Sequence, residues 1–245
     1  MRARPDELLV ERGLAEDVKQ AQALILSGKV FSGEVRIDKP GTPVSTEIPI
    51  EVRGADHPWV SRGGLKLDHA LDCFGIDVRG TSAVDVGSST GGFTDVLLSR
   101  GADHVYAVDV GYGQLHWKLR QDDRVTVLER QNARHLTAEH IPAPVGAVVC
   151  DASFTRLETV LPAPMGFAGP GAHLIALIKP QFEVAKSDVG QGGIVRDAAL
   201  HRTACCRVED WLAGLAGWTV LGTEQSPIKG AEGNIEFFIA ARFDG

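Results

Sequence analysis

The residues of this chain best suited to chemistry are a glycine-rich run, Asp85-Val-Gly-Ser-Ser-Thr-Gly-Gly-Phe93, and four ionisable residues beside short apolar runs, Lys66, Asp151, Lys179 and Glu236. A glycine turn between a strand and a helix brings backbone N–H groups and a helix N-terminus against a ligand, because glycine permits close approach. Three ligand classes use that device. A phosphate-cradling loop needs a lysine after its second glycine, and residues 87–92 have the spacing, but Phe93 stands in the lysine's place. A dinucleotide loop wants glycines at its first, third and sixth positions, and Ser89 holds the third. What remains is a loop of Asp85, Gly87, Ser88, Ser89, Gly91, Gly92 and Phe93, with a second acid, Asp109, closing the next apolar run where such folds bind ribose hydroxyls. That pattern suits S-adenosylmethionine, whose sulfonium and amino group favour a carboxylate such as Asp85 and whose ribose needs acceptors such as Asp109. Asn132 is a candidate either for the adenine amino group or for a turn cap, and Asp151 for both the cofactor and the catalytic set.

Moving a methyl group to a hydroxyl requires the acceptor oxygen to be aligned behind the methyl carbon and its proton to be removed. Asp151 follows one apolar run, Lys179 follows another, and Glu236 opens the last. In an open α/β sheet the carboxyl ends of parallel strands, and the start of an antiparallel one, line the ligand crevice, so these three converge there. A lysine takes a proton near neutrality only when its pKa falls well below about 10.4. A second ammonium and burial pull in that direction and neighbouring carboxylates pull against it. Lys179 is the candidate base or hydroxyl-orienting group, with Lys66 as the second cation. The glycine-rich stretch 190–193, followed by Arg196, reads as a substrate loop or a plain connector. Cys150 reads as a buried small hydrophobe at a strand end rather than a nucleophile.

The elements that must position these residues follow from periodicity. Apolar runs at 82–86, 104–108, 125–128, 147–150, 173–178, 218–221 and 235–240 alternate with helix-compatible segments, which predicts an α/β, Rossmann-like, doubly wound and mostly parallel seven-stranded sheet. The short gap before the last run predicts an antiparallel final pair. Residues 197–215 are the clearest helix, with Ala204, Val208, Trp211 and Leu215 at helical spacing. The first fifty or so residues have their own rhythm. A helix is expected near 5–12, a break at Gly13-Leu14, and a second helix at 16–27 with Val18, Ala21 and Ile25 on one face. A hairpin of 29–31 and 34–37 turning at Ser32-Gly33 follows, then a last strand at 48–52. The junction Ala55-Asp56-His57-Pro58 marks a boundary: domains are expected at 1–56 and 63–245 with a linker at 57–62.

Composition narrows the function classes. The net charge of -7, from 25 basic and 32 acidic residues, excludes a broad electrostatic grip on DNA, RNA or an anionic membrane. Any RNA contact is locally basic. Cys73, Cys150, Cys205 and Cys206 lack the spacing of a zinc site, so no metal is expected and the thiols read as reduced. No apolar h-region follows the first charges and no stretch reaches a membrane span, so a soluble cytoplasmic protein is expected.

Two resemblances sharpen these readings. Leu8, Leu9, Gly13-Leu14-Ala15, Ala23-Leu24-Ile25, Gly28-Lys29-Val30 and Lys39-Pro40-Gly41 resemble the α-L RNA-binding motif named from a small-subunit ribosomal protein. The resemblance implies RNA binding, although residues 1–58 hold 8 Lys/Arg against 10 Asp/Glu, and Asp17-Val18-Lys19 stands where a Ser-Arg pair is common. Over nearly the whole chain, Ser61-Arg62-Gly63-Gly64-Leu65-Lys66-Leu67, the 85–93 loop, Asp151-Ala152-Ser153-Phe154, Ile178-Lys179-Pro180-Gln181-Phe182-Glu183, residues 190–196 and Glu232-Gly233-Asn234-Ile235-Glu236 resemble the TlyA family. Its members are RNA methyltransferases with an FtsJ-like catalytic domain, also called haemolysins. That resemblance implies ribose 2'-O-methylation of ribosomal RNA, usually at cytidine, and a Lys-Asp-Lys-Glu tetrad at Lys66, Asp151, Lys179 and Glu236. Asp151-Ala152-Ser153-Phe154-Thr155-Arg156 departs from the usual Asp-Val-Ser-Phe-Ile-Ser. The competing readings are a methyltransferase of small molecules, a ribosome-binding factor without catalysis and a membrane-active haemolysin.

Overall fold

The computed structural model describes residues 2–12, 14–15, 17–52, 57–230 and 233–245. The chain divides into two compact units, Met1–Pro58 and Trp59–Gly245. The expected break at Gly13, the helix start at Glu16, Ala55 and Asp56 of the junction, and Glu232 of the last motif lie outside the described residues.

In the first unit a helix over Pro5–Glu11 begins with proline, whose fixed φ suits a first helical turn. The second helix, Val18–Leu26, is capped by the Asp17 carboxylate, which accepts from the Gln20 N–H at 2.7 Å. Ala21 and Ile25 are fully buried with Leu9 and Val30, but Val18 is 41% exposed. As the first helical residue it has no preceding turn to pack under, and Leu24 takes its place beside the core. The strands are Val30–Ser32, Val35–Arg36 and Glu51–Val52, with Val30–Ser32 in the middle. Ser32 pairs with Val35, so the turn is Gly33-Glu34, one residue later than expected. Glycine at the first turn position supplies the positive φ of 54° that the hairpin requires.

The second unit is built on seven strands: β1 (Ser82–Val86), β2 (His104–Val108), β3 (Val125–Leu128), β4 (Val145–Cys150), β5 (Ala168–Ile178), β6 (Trp218–Gln225) and β7 (Phe237–Phe243). They lie in the order β3-β2-β1-β4-β5-β7-β6, with β7 antiparallel to β5 and β6 and the other pairs parallel. This is the mostly parallel sheet with an antiparallel final pair that the alternation predicts. The first three strands match their apolar runs, while β4, β5 and β6 extend beyond theirs and β7 starts two residues later. Apolar residues mark only the buried part of a strand, and backbone pairing continues past it whatever the side chain.

Three longer helices flank the sheet: α1 (Gly63–Phe74), α2 (Gly92–Ser99) and α3 (Ala198–Ala213). The period of two along each strand splits the core into two clusters. Ala147, Val149, Ile175 and Leu177 pack with Leu67 and Leu71 of α1 and Val96 and Leu97 of α2. Val148, Leu174, Ala176 and Ile178 pack with Ala204, Val208 and Leu212 of α3. The Asp197 carboxylate caps α3 through the Ala199 N–H at 2.8 Å, and the helix ends at Gly214, short of the expected 215. Its buried stripe therefore runs through Leu212, with Trp211 only half-buried. No helix among the described residues is long and apolar enough to cross a membrane.

Candidate active site

Register puts the chemistry at one edge of the sheet. Val86 pairs with both Val108 and Cys150, Cys150 with Ala176, and Ile178 with Phe237. The residues just past these ends, Gly87, Asp109, Asp151 and Lys179, and Glu236 just before β7, are therefore neighbours. Lys66 arrives from α1. Its placement depends on Gly64, where a Cβ would lie 2.3 Å from the Trp59 ring, so the indole seats against the helix only because no side chain stands there.

The four candidates form a chain of alternating charge. Lys66 Nζ lies 2.7 Å from Glu236 Oε2 and 3.9 Å from Asp151 Oδ2, and Lys179 Nζ lies 2.7 Å from Asp151 Oδ1. Lys66, Lys179 and Glu236 are buried, with exposures of 6%, 8% and 3%. Buried charges persist when each meets its opposite, and here two cations and two anions do so. Lys179 also donates to the Asp151 carbonyl at 3.0 Å and to Ser153 Oγ at 2.8 Å.

Two cavities meet above the strand ends. One, of about 550 Å³, is walled by Lys66, Ser88, Phe93, Lys179 and Glu236 among others. The other, of about 500 Å³, is walled by Val108, Asp109, Gln114, Asn132 and Arg134 among others. Gly87, Ser89, Asp151, Ser153 and Phe154 line both. At Gly87 the backbone has a φ of 81° and a Cβ would lie 2.9 Å from Ala152 Cα, so the loop passes against the β4 end as only glycine can. Asp109 braces this loop by accepting from the Ser89 N–H at 2.8 Å and the Gly111 N–H at 2.7 Å.

Asp85 and Gly91 of the loop lie off the cavity walls, and Asn132 takes the turn-cap role, one of the two the sequence offered for it. Asp85 is fully buried beneath the loop and accepts from the Thr94 hydroxyl at 2.7 Å, while its Oδ1 has no hydrogen-bond partner among the described residues. Burial pushes its carboxyl up to about 7, helped by the charges of Asp151 and Asp109 and opposed by Thr94. Its strand register aims it into the core. Gly91 packs on Leu115 and Leu119 as the cap of α2 and lines neither cavity. Asn132 walls the second cavity, but its Oδ1 caps the turn at Ala133–His135 by accepting from the Arg134 N–H and Nε at 3.1 Å each. Ser88, Ser89, Gly92 and Phe93 line the first cavity, and the Phe93 ring also stacks on Phe238. Cys150 is buried and its thiol is pushed up to about 12 by desolvation, which leaves it inert.

Residues 190–194 form a small closed loop whose Gly193 walls the first cavity. Asn234, 1% exposed, ties it down by accepting from the Val195 N–H and donating to the Gly193 carbonyl, so the loop is anchored to the segment that carries Glu236. Arg196 reaches back to the Gln191 carbonyl at 3.5 Å. The sequence reading gave no individual role to Ser153, Phe154, Gln181 or Phe182, all of which line the first cavity. Phe154 is 89% exposed, has a φ of 64° and lies 5.1 Å from the Phe182 ring. Its motif was visible, but its backbone conformation has no sequence signal.

The family model for the FtsJ-like methyltransferase matches residues 59–243. The chain is 50% identical over 242 residues to the 16S/23S rRNA (cytidine-2'-O)-methyltransferase TlyA of Mycobacterium tuberculosis, covering 98% of this chain and 90% of that one. It is 38% identical to Hemolysin A of Brachyspira hyodysenteriae, covering 96% of this chain and 97% of that one. A solved hemolysin-type protein of Streptococcus thermophilus superposes with a TM-score of 0.76 at 39% identity, over 99% of this chain and 88% of that one. The paired cavities and the Lys-Asp-Lys-Glu chain thus lie within the matched residues, and the protein belongs to the FtsJ-like methyltransferase family, within it to the TlyA group.

Proposed function

We propose that this protein transfers a methyl group from S-adenosylmethionine to a ribose 2'-hydroxyl of ribosomal RNA, at a cytidine as in the mycobacterial relative's name. The observation that carries the reading is the alternating chain of Lys66, Asp151, Lys179 and Glu236, which walls the first cavity and reaches the second at Asp151. The residues fit the cofactor. Gly87 walls both cavities, Asp109 offers a carboxylate in the second, and Asp85 places anionic capacity with an unpartnered Oδ1 beneath the loop. When bound, S-adenosylmethionine supplies an electrophilic methyl group on a cationic sulfur. Gly87, Ser88, Ser89 and Asp109 would hold it, and Asn132 and Arg134 would border its base.

The chain's own residues supply positioning and proton handling. Lys179 lines the first cavity beside Ser153 and would orient the acceptor hydroxyl; having released its own proton to solvent, it would take the hydroxyl's proton. Asp151 holds the Lys179 ammonium through both its carboxylate and its carbonyl, and Lys66 neutralises Asp151 from the other side. Glu236 completes the chain by fixing Lys66. The first unit would grip RNA through few cations, and this substrate carries a cytoplasmic location with it. Incubation with labelled cofactor and ribosomal subunits tests the reading. The wild-type protein transfers label to rRNA, and Lys179→Ala loses at least about 100-fold in kcat while cofactor binding by calorimetry stays within about two-fold. Unchanged transfer by that variant, or none by the wild type, overturns it.

A further inference from the structure

An ammonium has three N–H donors, and three oxygens crowd Lys179 Nζ: it donates to the Asp151 carbonyl at 3.0 Å and to Ser153 Oγ at 2.8 Å, and Asp151 Oδ1 stands 2.7 Å away as an ion-pair contact. A substrate hydroxyl that needs Lys179 must therefore displace one of them. The two Asp151 oxygens are fixed, because the Asp151 N–H is held by the Val86 carbonyl at 3.0 Å at the end of β4 and its carboxylate is an ion-pair partner. Ser153 is different. It is exposed, lies on the loop that follows β4, and adjoins Phe154, a non-glycine residue at a φ of 64° that gains by moving to a commoner conformation. It also lines both cavities, at the place where a methyl group spanning them would meet its acceptor.

We propose that the Ser153 hydroxyl is a stand-in for the acceptor, occupying beside Lys179 the position that the incoming ribose 2'-hydroxyl takes over. The proposal rests on the 2'-O-methyltransferase reading above. The exchange is hydroxyl for hydroxyl, so Lys179 keeps its hydrogen-bond complement and the cost of exchange is small. With Lys179 as the free amine, two N–H groups remain on Asp151 and the lone pair faces the incoming O–H. Methyl transfer then breaks the O–H bond and forms the O–CH3 bond; the C–S electron pair stays on sulfur and the proton goes to Lys179 Nζ. Ser153 is thus a positioning residue that keeps the site filled and the ammonium aimed until RNA arrives.

Steady-state kinetics of the full chain with ribosomal subunits, beside calorimetry with S-adenosylmethionine, test this. Removing the competitor in Ser153→Ala lowers KM for rRNA about three-fold and raises kcat/KM by the same factor. Ser153→Asp places a carboxylate that does not yield, so transfer falls more than about 100-fold while cofactor binding stays within about two-fold. A loss of about ten-fold or more in kcat for Ser153→Ala at unchanged KM means that Ser153 stays on Lys179 during the reaction, and overturns the proposal. A wild-type protein that binds cofactor but methylates no RNA overturns the parent reading first, and the stand-in with it.

Discussion

Asp85, the first acid of the glycine loop, is buried by the register of its own strand. Position 85 alternates into the core, and desolvation pushes its carboxyl up to about 7. The unfolded chain gives up that proton near the usual carboxylate value of about 4, so between about pH 4 and 7 the folded state binds more protons than the unfolded one. Stability from this group is therefore present at low pH and falls as pH rises through that window, by an amount on the order of a few kcal/mol. Thermal melts of the wild type and Asp85→Asn across about pH 5 to 8 check it. The expected result is a wild-type melting temperature that falls more steeply, with the difference moving in favour of Asn as pH rises. Equal slopes would mean that Asp85 keeps an ordinary carboxylate titration. Sequence identified the acid and its distance from the glycines, whereas the direction of its side chain came from register.

At the scale of elements, a buried carboxylate secures the loop that carries Ser153 and Phe154. Glu183 ends the short helix Pro180–Glu183 just past Lys179 and is 4% exposed. Its Oε1 accepts from the Leu157 N–H at 2.9 Å, at the start of the helix Leu157–Val160, and its Oε2 meets Arg207 of α3 at 3.1 Å. Arg207 in turn reaches Glu158 at 2.5 Å. Burial raises the Glu183 carboxyl above its ordinary range, while the Leu157 N–H and Arg207 pull the other way. Glu183→Ala leaves a buried N–H and a guanidinium short of a partner and costs about 2–4 kcal/mol, measurable by urea unfolding. Glu183→Gln, which still accepts from Leu157, recovers part of it. In the sequence this residue is one letter of a motif beside a catalytic candidate. Only the packing of α3 against the loop reveals its structural duty.

For the whole molecule, the question is what the first unit adds. Its core of Leu9, Ala21, Ile25 and Val30 closes within itself, and the residues proposed for methyl transfer all belong to the second unit. If the first unit serves RNA recognition, a chain of residues 59–245 binds S-adenosylmethionine within about two-fold of the full protein and loses at least about ten-fold in kcat/KM for rRNA, mostly in KM. Filter-binding and transfer assays on both proteins check this, and full rRNA activity in the shorter chain would point to a substrate recognised by the catalytic unit alone.

The alternation of apolar runs was enough to specify the parallel sheet, because burying both faces of a sheet demands that pattern, and the short gap before the last run was enough for its antiparallel end. Exclusion at Phe93 and Ser89 was enough to isolate the loop type. Ordered motifs nominated Lys66, Asp151, Lys179 and Glu236, though they lie up to 170 residues apart. What tertiary structure alone decided is which atoms meet: that Asp85 points inward while Asp109 braces the loop, that Asn132 caps a turn, and that Ser153 accepts a hydrogen bond from Lys179. The reason is physical. Periodicity records whether a position is buried, while hydrogen-bond partners are set by strand register and loop dihedrals that bring distant segments within 3 Å of each other.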